Sequence, residues 1–259
     1  GLSIGVGTAL SAKYLDKLSF RTYVLLGDSE MAEGSVWEAI QLAAYYKLDN
    51  LIAILDVNRL GQSTATMYGY NLSSYEKKFK SFGWQTIVID GHDFSEINRA
   101  YKKALGGKNK PIVIIAKTLK GKGVSFAENK LGWHGKAFKE DELKKALAEL
   151  GEVDFKIPGQ VLSARSAEPK TPKIKKFKPV AYKLGEEVAT RKAYGCSLAR
   201  LLARYPGIVV LDGEVSNSTY SEDFRKVYPK HYFEMFIAEQ NMVGSAVGLS
   251  NRGKIPFIS

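Results

Sequence analysis

"GDSEMAEGSVWEAIQLAAYYKLDNLIAILDVNRLGQS" spans residues 27–63 and contains a strand–helix–strand pattern that predicts the fold class. Two apolar runs of strand length, 21–27 and 51–57, flank a helical pattern, and each run is closed by a small polar residue, Asp28 or Asn58. Strands that alternate with helices predict a parallel sheet covered on both faces. Because ligands bind at the carboxyl ends of parallel strands, Asp28 and Asn58 are candidate site residues.

The alternation of strand and helix patterns continues along the chain. Further apolar runs lie at 85–90, 111–117, 207–211, 231–237 and 254–258, and helical patterns at 34–48, 73–82, 94–105, 189–205, 219–228 and 240–251. A segment rich in proline and lysine interrupts them at 151–184, which is typical of an extended interdomain linker. We therefore expect an α/β fold with one nearly complete domain at 1–150 and the first part of a second, similar α/β domain at 185–259.

The composition excludes several classes of protein. The chain has 259 residues, of which 45% are hydrophobic, as in soluble globular proteins. No apolar run reaches the roughly 18–20 residues that span a bilayer, and the N-terminus lacks the basic region of a secretory signal. The single Cys196 excludes an internal disulfide and indicates a reducing compartment, so we expect a cytoplasmic protein with no membrane partner. The sequence starts without Met and in mid-pattern, and we interpret it as a fragment.

The net charge of +11 leaves three interpretations open. It is compatible with an ordinary basic surface, with a preference for phosphorylated small molecules, or with nucleic-acid binding. The lysines are spread out except in the 151–184 segment, and no nucleic-acid-binding motif is present. We therefore expect no nucleic-acid partner.

The oxygen atoms of Asp28 and Asn58 suit a divalent cation. Mg²⁺ (or Ca²⁺) prefers oxygen ligands, often completed by phosphate oxygens, so we expect the two side chains to lie within about 4 to 5 Å of each other. The helix that begins near Glu33 directs its first amides toward the same crevice, where a phosphate is favoured. The pair could thus hold a metal–diphosphate group. Asp and Asn also end strands simply because they suit turns, and the spacing alone leaves this alternative open.

Further segments resemble one enzyme family. The motifs "GDS" and "DVNRLGQS" resemble the Gly-Asp-Gly…Asn signature of thiamine-diphosphate enzymes. The segments "EGSVWEA", "AKTLKGKG", "GWHGK", "ATRKAYG" and "IAEQNMVGSAVG" are similar to transketolase and occur in its order. The resemblance covers essentially the whole chain.

The resemblance implies a cofactor site between two subunits. Transketolases bind thiamine diphosphate between the diphosphate-binding domain of one subunit and the pyrimidine-binding domain of another. Residues 1–150 resemble most of the first domain, and 185–259 resemble the start of the second. We therefore expect a homodimer with its active site at the interface and phosphorylated sugars as substrates. The family's stacking and further substrate groups fall outside this sequence, so we expect the fragment alone to be inactive.

The resemblance also implies ligands for the cofactor. The metal ligands would be Asp28, Asn58 and the carbonyl of Leu60. The thiamine diphosphate contacts would come from Asp28, Ser29, Glu33, Asn58, Lys120 and His134. Ser29 stands where the family has glycine, and a serine fits there if its φ is negative.

The implied catalytic residues are Glu239 and His134. In the family this glutamate contacts a pyrimidine ring nitrogen and helps to remove the proton from the thiazolium carbon. Without the resemblance, Glu239 is simply a first-turn acid favoured by the helix dipole, and His134 a surface-loop residue. We also hypothesise that Glu33 and Glu38 share protons with Glu239 across the dimer interface.

Further residues resemble the family's sugar-phosphate ligands. These are Arg191, Ser218 and again His134, and a guanidinium suits phosphate because its donors form a planar fork. His92 and His231 match no functional position, and we expect them to be structural.

The function implied is transfer of a two-carbon ketol unit between phosphosugars. The donor would be a ketose phosphate such as xylulose 5-phosphate and the acceptor an aldose phosphate such as ribose 5-phosphate, as in the pentose phosphate pathway. Two alternatives stay open: an enzyme resembling deoxyxylulose-phosphate synthase, which shares the cofactor, and a non-catalytic transketolase-like dimerisation partner. The long basic linker and "GWHGK" favour transketolase over the synthase.

Overall fold

The computed structural model describes residues 1–152, 169, 173, 176, 178 and 180–259. Most of the predicted linker at 151–184 lies outside these residues, so its extended form stays a prediction. The described strands are β1 (Thr22–Gly27), β2 (Leu51–Val57), β3 (Gln85–Asp90), β4 (Ile112–Lys117), β5 (Ile208–Asp212), β6 (Tyr232–Glu234) and β7 (Ile255–Ile258). The described α-helices are α1 (Leu2–Leu10), α2 (Gly34–Tyr45), α3 (Leu72–Ser81), α4 (Phe94–Leu105), α5 (Glu140–Leu150), α6 (Thr190–Leu202), α7 (Ser216–Thr219), α8 (Glu222–Val227) and α9 (Glu239–Ser250).

Both sheets are parallel, which confirms the predicted α/β class. The first sheet has the order β1-β2-β4-β3, and the second has the order β6-β5-β7. Strand β2 therefore lies between β1 and β4, and the carboxyl ends of all three meet at one edge. That edge is where the sequence places Asp28 and Asn58.

The structure corrects two predicted elements. The strand expected at 231–237 is only three residues long, because the chain turns at Phe236, which has a left-handed φ of 56°. The helix expected at 219–228 is interrupted at Tyr220, whose φ of 61° separates α7 from α8. A left-handed φ is unfavourable for a bulky residue. Tertiary contacts therefore outweigh the local strand pattern at Phe236 and the local helical pattern at Tyr220.

One hydrophobic core is shared by the two halves of the chain. Residues of α1 and β2 pack in the same buried cluster as residues of β5, β6 and α9. Helices α1 and α9 approach so closely that a Cβ on Gly7 would lie 2.0 Å from the carbonyl oxygen of Ser245, and one on Gly248 would lie 2.1 Å from that of Ile4. Glycine is required at these crossings because any side chain would collide with backbone.

A buried ion pair also joins the halves. The carboxylate of Asp16, in the π-helical turn after α1, receives a hydrogen bond from the hydroxyl of Ser11 at 2.8 Å and contacts the ammonium of Lys254 just before β7. The side chain of Asp16 is 1% exposed. Removing one member of such a pair leaves a buried charge without a partner, which costs about 3–5 kcal/mol.

We expect Gly7→Val to destabilise the chain by about 3 kcal/mol, because the new side chain must push α1 away from α9. Gly34→Ala is the matched control, since a Cβ at Gly34, the first residue of α2, meets nothing within 4 Å. That control should be neutral or stabilise by less than about 1 kcal/mol. Urea denaturation of both variants measures the difference, and equal midpoints would contradict the assigned packing.

Candidate active site

Asp28 and Asn58 follow adjacent strands of the first sheet. Strand β1 ends at Gly27, which is paired in register with Asp56 on β2, so Asp28 and Asn58 emerge side by side. Both side chains are buried. Asp28 and Asn58 thus follow neighbouring strands, as a shared cation site would require. The distance between their side-chain oxygens stays a prediction.

The Asp28 carboxylate is held by the turn that follows β2. Its Oδ2 accepts hydrogen bonds from the backbone N–H of Arg59 at 2.7 Å and from Oγ1 of Thr66 at 3.0 Å. Burial raises the pKa of Asp28, and the charge of Asp56 adds to this effect, although the hydrogen bonds oppose it. The ionised carboxylate is thus unfavourable by itself, and a nearby cation would compensate for it.

The Asn58 amide has a defined orientation. Its Nδ2 donates to Oδ2 of Asp56 at 3.0 Å, and its Oδ1 accepts from the backbone N–H of Leu60 at 3.1 Å. The carbonyl oxygen of Leu60 accepts from the Lys120 ammonium at 3.1 Å. All three predicted metal ligands therefore lie around the first residues after β2, with one cationic side chain already on an expected ligand oxygen.

The turn after β2 is held in an unusual conformation. Arg59 has a φ of 63°, a region that costs a non-glycine residue about 1 kcal/mol or more. Its Nε donates to Oδ1 of Asn129 at 2.9 Å, and its guanidinium lies 5.6 Å from the ring centroid of Tyr70. These contacts compensate for the strain and aim the Arg59 N–H at Asp28.

Ser29 meets the condition set by the sequence analysis. It lies in the 3-10 turn Asp28–Ala32 and is not among the residues with positive φ. Its side chain is exposed, and its Oγ would lie 3.5 Å from a Cβ placed on Gly61. The serine is therefore accommodated where the family has glycine.

Glu33 caps α2. Its Oε2 accepts from the backbone N–H of Ser35 at 3.2 Å and from the Ser35 hydroxyl at 2.7 Å. These hydrogen bonds lower the pKa of Glu33. A shared proton requires a raised pKa, so this geometry does not favour Glu33 as a member of the proposed proton-sharing group. Its contact with the cofactor stays a prediction.

Glu38 reaches the helix that carries Glu239. Its Oε2 accepts from the backbone N–H of Asn241 at 3.0 Å, in the first turn of α9. Glu239 is the first residue of α9 and is exposed. The structure thus places Glu38 beside the start of α9 within a single chain, whereas we expected a contact across a dimer interface. The sharing of protons between these two acids stays a prediction.

Lys120 joins the Leu60 carbonyl, a predicted metal ligand, to His134. Its ammonium lies 2.8 Å from Nδ1 of His134 and also donates to the Leu60 carbonyl. An ammonium can only donate, so Nδ1 accepts and the ring hydrogen lies on Nε2. Three predicted site residues, Leu60, Lys120 and His134, therefore form one hydrogen-bonded chain. Leu60 and Lys120 are 60 positions apart in the sequence, and Lys120 and His134 are 14 apart.

A small aromatic cluster supports the His134 loop. The rings of Phe126, Trp133 and Phe138 pack edge to face, with centroids 5.3–5.4 Å apart. The ammonium of Lys136 lies 4.1 Å from the Trp133 ring centroid. Sequence reasoning missed this cluster, although the aromatic residues around "GWHGK" are its signal.

Arg191 and Ser218 lie apart from this group. Arg191 is in the first turn of α6 and Ser218 is in α7, and both are exposed. Among the described residues, no hydrogen bond joins either side chain to Asp28 or to the residues around it. Their roles as phosphate ligands stay predictions.

Two histidines make backbone contacts, as expected of structural residues. Nε2 of His92 accepts from the N–H of Leu119 at 2.8 Å, next to Lys120. Nδ1 of His231 lies 3.0 Å from the carbonyl oxygen of Ile208, and burial lowers the pKa of His231. His92 therefore supports the loop that carries Lys120.

The donor set fits a hard cation. Within the described residues, no three or more His, Cys, Asp or Glu side chains group together as a metal cluster. The predicted set differs from such a cluster, since it has one carboxylate, one amide and one backbone carbonyl. Only oxygen atoms are offered, which suits Mg²⁺ or Ca²⁺ and does not suit softer metals.

Two family models match the chain. One describes the transketolase thiamine diphosphate binding domain and matches residues 8–193, and the other describes the transketolase pyrimidine binding domain and matches residues 186–259. The chain belongs to the transketolase family. The whole chain is also 44% identical to transketolase-like protein 2 of Mus musculus and 43% identical to transketolase of Homo sapiens. It spans 42% of the length of each of these relatives.

Solved transketolases share the fold. The match to the transketolase structure from Campylobacter jejuni covers 99% of this chain and 46% of the Campylobacter jejuni chain, with a TM-score of 0.77 and 23% sequence identity. A transketolase from Pichia stipitis, solved with sedoheptulose 7-phosphate, matches 96% of this chain and 45% of its own, with a TM-score of 0.73 and 21% identity. Within the part of the chain that the structure describes, no helix has the length and apolarity that crossing a membrane requires.

We expect Asp28→Asn to raise the melting temperature at pH 7 in metal-free buffer. A raised carboxyl pKa means that the folded state holds the proton more tightly, so stability is lost as the pH rises from the ordinary value of 3.8 through the raised one. Asparagine avoids that loss, and the difference from the wild type should vanish below pH 3.8.

Glu76→Gln is the control for this experiment. A hydrogen bond from Lys80 lowers the pKa of Glu76, so its removal should not stabilise the protein at pH 7. Thermal melts from pH 3 to pH 8 measure both variants. An Asp28→Asn variant that melts below the wild type at pH 7 would show that the carboxylate is stabilising instead.

Proposed function

We propose that this chain binds a divalent cation and thiamine diphosphate in an enzyme of transketolase type. The observation that carries the proposal is the group around Leu60. There an oxygen set from Asp28, Asn58 and the Leu60 carbonyl meets the Lys120–His134 pair at the carboxyl edge of the first sheet. An oxygen set for a cation beside cationic and imidazole donors for an anion is what a metal–diphosphate group requires.

Each side chain has a role in binding this group. Asp28, Asn58 and the Leu60 carbonyl would hold Mg²⁺, with Ca²⁺ as the other candidate. Lys120 and His134 would contact the diphosphate, and Ser29 would border it.

Bound thiamine diphosphate supplies the electron sink for cleaving the bond next to a ketose carbonyl. Glu239 would hold a proton at the pyrimidine ring nitrogen, for which its exposed place at the start of α9 is suitable. His134 would contact both diphosphate and substrate oxygens, since Nε2 carries its ring hydrogen when Nδ1 accepts from Lys120.

The proposed substrates are phosphosugars. The donor would be a ketose phosphate such as xylulose 5-phosphate and the acceptor an aldose phosphate such as ribose 5-phosphate, which places the reaction in the pentose phosphate pathway. Arg191 would bind the phosphate through its guanidinium and Ser218 through its hydroxyl. The net charge of +11 favours anionic substrates. The two alternative functions are not favoured, because the named relatives above are transketolases and a transketolase-like protein.

We also propose a homodimer with the active site at its interface. Apolar side chains are exposed around the start and along one face of α9, namely Ile237 (71%), Val243 (50%) and Val247 (44%). Such exposure next to Glu239 favours a second subunit over this surface. A cytoplasmic location stays a prediction.

Calorimetry with thiamine diphosphate and Mg²⁺ tests the proposal. We expect wild-type binding that requires both components and is lost in Asp28→Asn, because the amide cannot supply the negative charge. Asp90→Asn is the control, since Asp90 ends β3 at the same edge and accepts from the N–H of His92 in its own turn. Equal binding by all three proteins would refute the assigned site.

Glu239→Gln tests the catalytic assignment in the full-length, cofactor-loaded protein. We expect cofactor binding to change less than about threefold, while deuterium exchange at the thiazolium carbon falls by about 10²-fold or more, because a general acid is lost. Glu187→Gln, an exposed acid in the same half, should leave the exchange unchanged. Wild-type exchange in Glu239→Gln would remove Glu239 from the mechanism.

A further inference from the structure

Asp56 is a carboxylate that the proposed function does not use. It lies on β2 between Gly27 of β1 and Ala116 of β4 in the strand register, and it is half-buried. Its Oδ2 accepts from Nδ2 of Asn58 at 3.0 Å, and its Oδ1 accepts from the hydroxyl of Thr118. Each oxygen of this one carboxylate therefore holds a different element of the candidate site.

The first contact decides which way the Asn58 amide points. An amide can rotate by 180° and exchange its oxygen for its NH₂ group. An ionised carboxylate only accepts, so the NH₂ group must face Asp56. The Oδ1 of Asn58 then points away from Asp56, toward the Leu60 N–H and the proposed cation.

The second contact fixes the start of the loop that carries Lys120. Thr118 is the first residue after β4, and its carbonyl accepts from the hydroxyl of Tyr70 at 2.9 Å. Its N–H donates to the carbonyl of Val57 at 3.0 Å. The Lys120 ammonium, two residues further on, reaches Leu60 and His134.

We propose that Asp56 is a positioning residue that aims the Asn58 oxygen at the cation and the Thr118–Lys120 loop at the diphosphate. This inference rests on the proposed metal–diphosphate site. Partners that orient a metal ligand through its other polar atom change metal affinity by about 10–100-fold when removed. In this proposal Asp56 acts through the two side chains that it holds, those of Asn58 and Thr118.

The charge of Asp56 also acts through space, and the experiment must separate that effect from position. Asp56→Asn keeps the size but removes the charge and one of the two acceptor oxygens. Asp56→Glu keeps the charge but moves the oxygens by one methylene group. Thr118→Val removes only the contact with the loop and leaves the Asn58 contact in place.

We expect Asp56→Asn and Asp56→Glu both to weaken Mg²⁺ binding about 10–100-fold in calorimetric titrations with thiamine diphosphate present. Thr118→Val should weaken thiamine diphosphate binding while Mg²⁺ binding alone changes less than about threefold. Asp90→Asn is again the matched control and should bind as the wild type. Wild-type Mg²⁺ affinity in Asp56→Glu would overturn the proposal, because charge alone would then account for the effect.

The side-chain amide signals of Asn58 give a second readout that needs no metal. In ¹⁵N-labelled wild type, the NMR signals of the Asn58 NH₂ group should be shifted from those of a solvent-exposed amide, and its hydrogens should exchange slowly with solvent. Both Asp56 variants should lose this protection from hydrogen exchange. Thermal melts establish whether each variant is folded. Thr118→Val leaves the contact between Asp56 and Asn58 in place, so this variant should keep the wild-type Asn58 signals. Unchanged Asn58 signals in a folded Asp56 variant would overturn the positioning role.

The two readouts separate this inference from the proposed function. Mg²⁺ binding that does not depend on Asp28 would refute the proposed metal site. The Asn58 signals would still decide whether Asp56 orients the amide. Binding that depends on Asp28 but not on Asp56 would support the proposed function and overturn the positioning role.

Discussion

The parallel pairing of β1, β2 and β4 is the constraint on which the site depends. Parallel strands present their carboxyl ends at one edge, so residues that follow different strands meet without any local sequence relationship. Asp28 follows β1, Asn58 follows β2 and Thr118 follows β4. Asp56, near the carboxyl end of β2, which lies between β1 and β4, accepts hydrogen bonds from Asn58 and Thr118. A change of register in any of these strands would separate the oxygens that the proposed cation needs.

Stability and function are in tension at this edge. The buried Asp28 has a raised pKa, and Arg59 has a strained left-handed backbone. Strain and unpaired charge at one place are typical of a site whose ligand provides the missing interactions. The rest of the chain compensates through the close packing of α1 on α9 and the buried Asp16–Lys254 pair.

Strands β2 and β4 could be predicted from the sequence because buried parallel strands are continuous apolar runs. The apolar runs of β1 and β3 also form strands, although both strands are only partly buried. Helix α1 escaped prediction because Gly5 and Gly7 lower its helical propensity. The tertiary contacts explain both glycines, since a Cβ on Gly7 would collide with Ser245 of α9 and one on Gly5 would lie 2.5 Å from the side chain of Val24 on β1. The family resemblance suggested Asp28, Asn58, Lys120 and His134 one at a time. The Asp56–Thr118 contact joins residues 62 positions apart and lies in the same site, but no local pattern marks it. Contacts between loops depend on how the strands are ordered, and an apolar run does not encode that order.

The closeness of α1 and α9 also has a consequence for synthesis of the chain. Helix α1 emerges from the ribosome before α9, and Gly7 has no packing partner until α9 has been made. At translation rates of about 5–20 residues per second, the roughly 230 residues between them take on the order of 10–50 s. During that interval Leu2 and Val6, which are fully buried in the finished core, lack part of their cover. The part of the core that α1 shares with α9 can therefore close only after α9 has been synthesised.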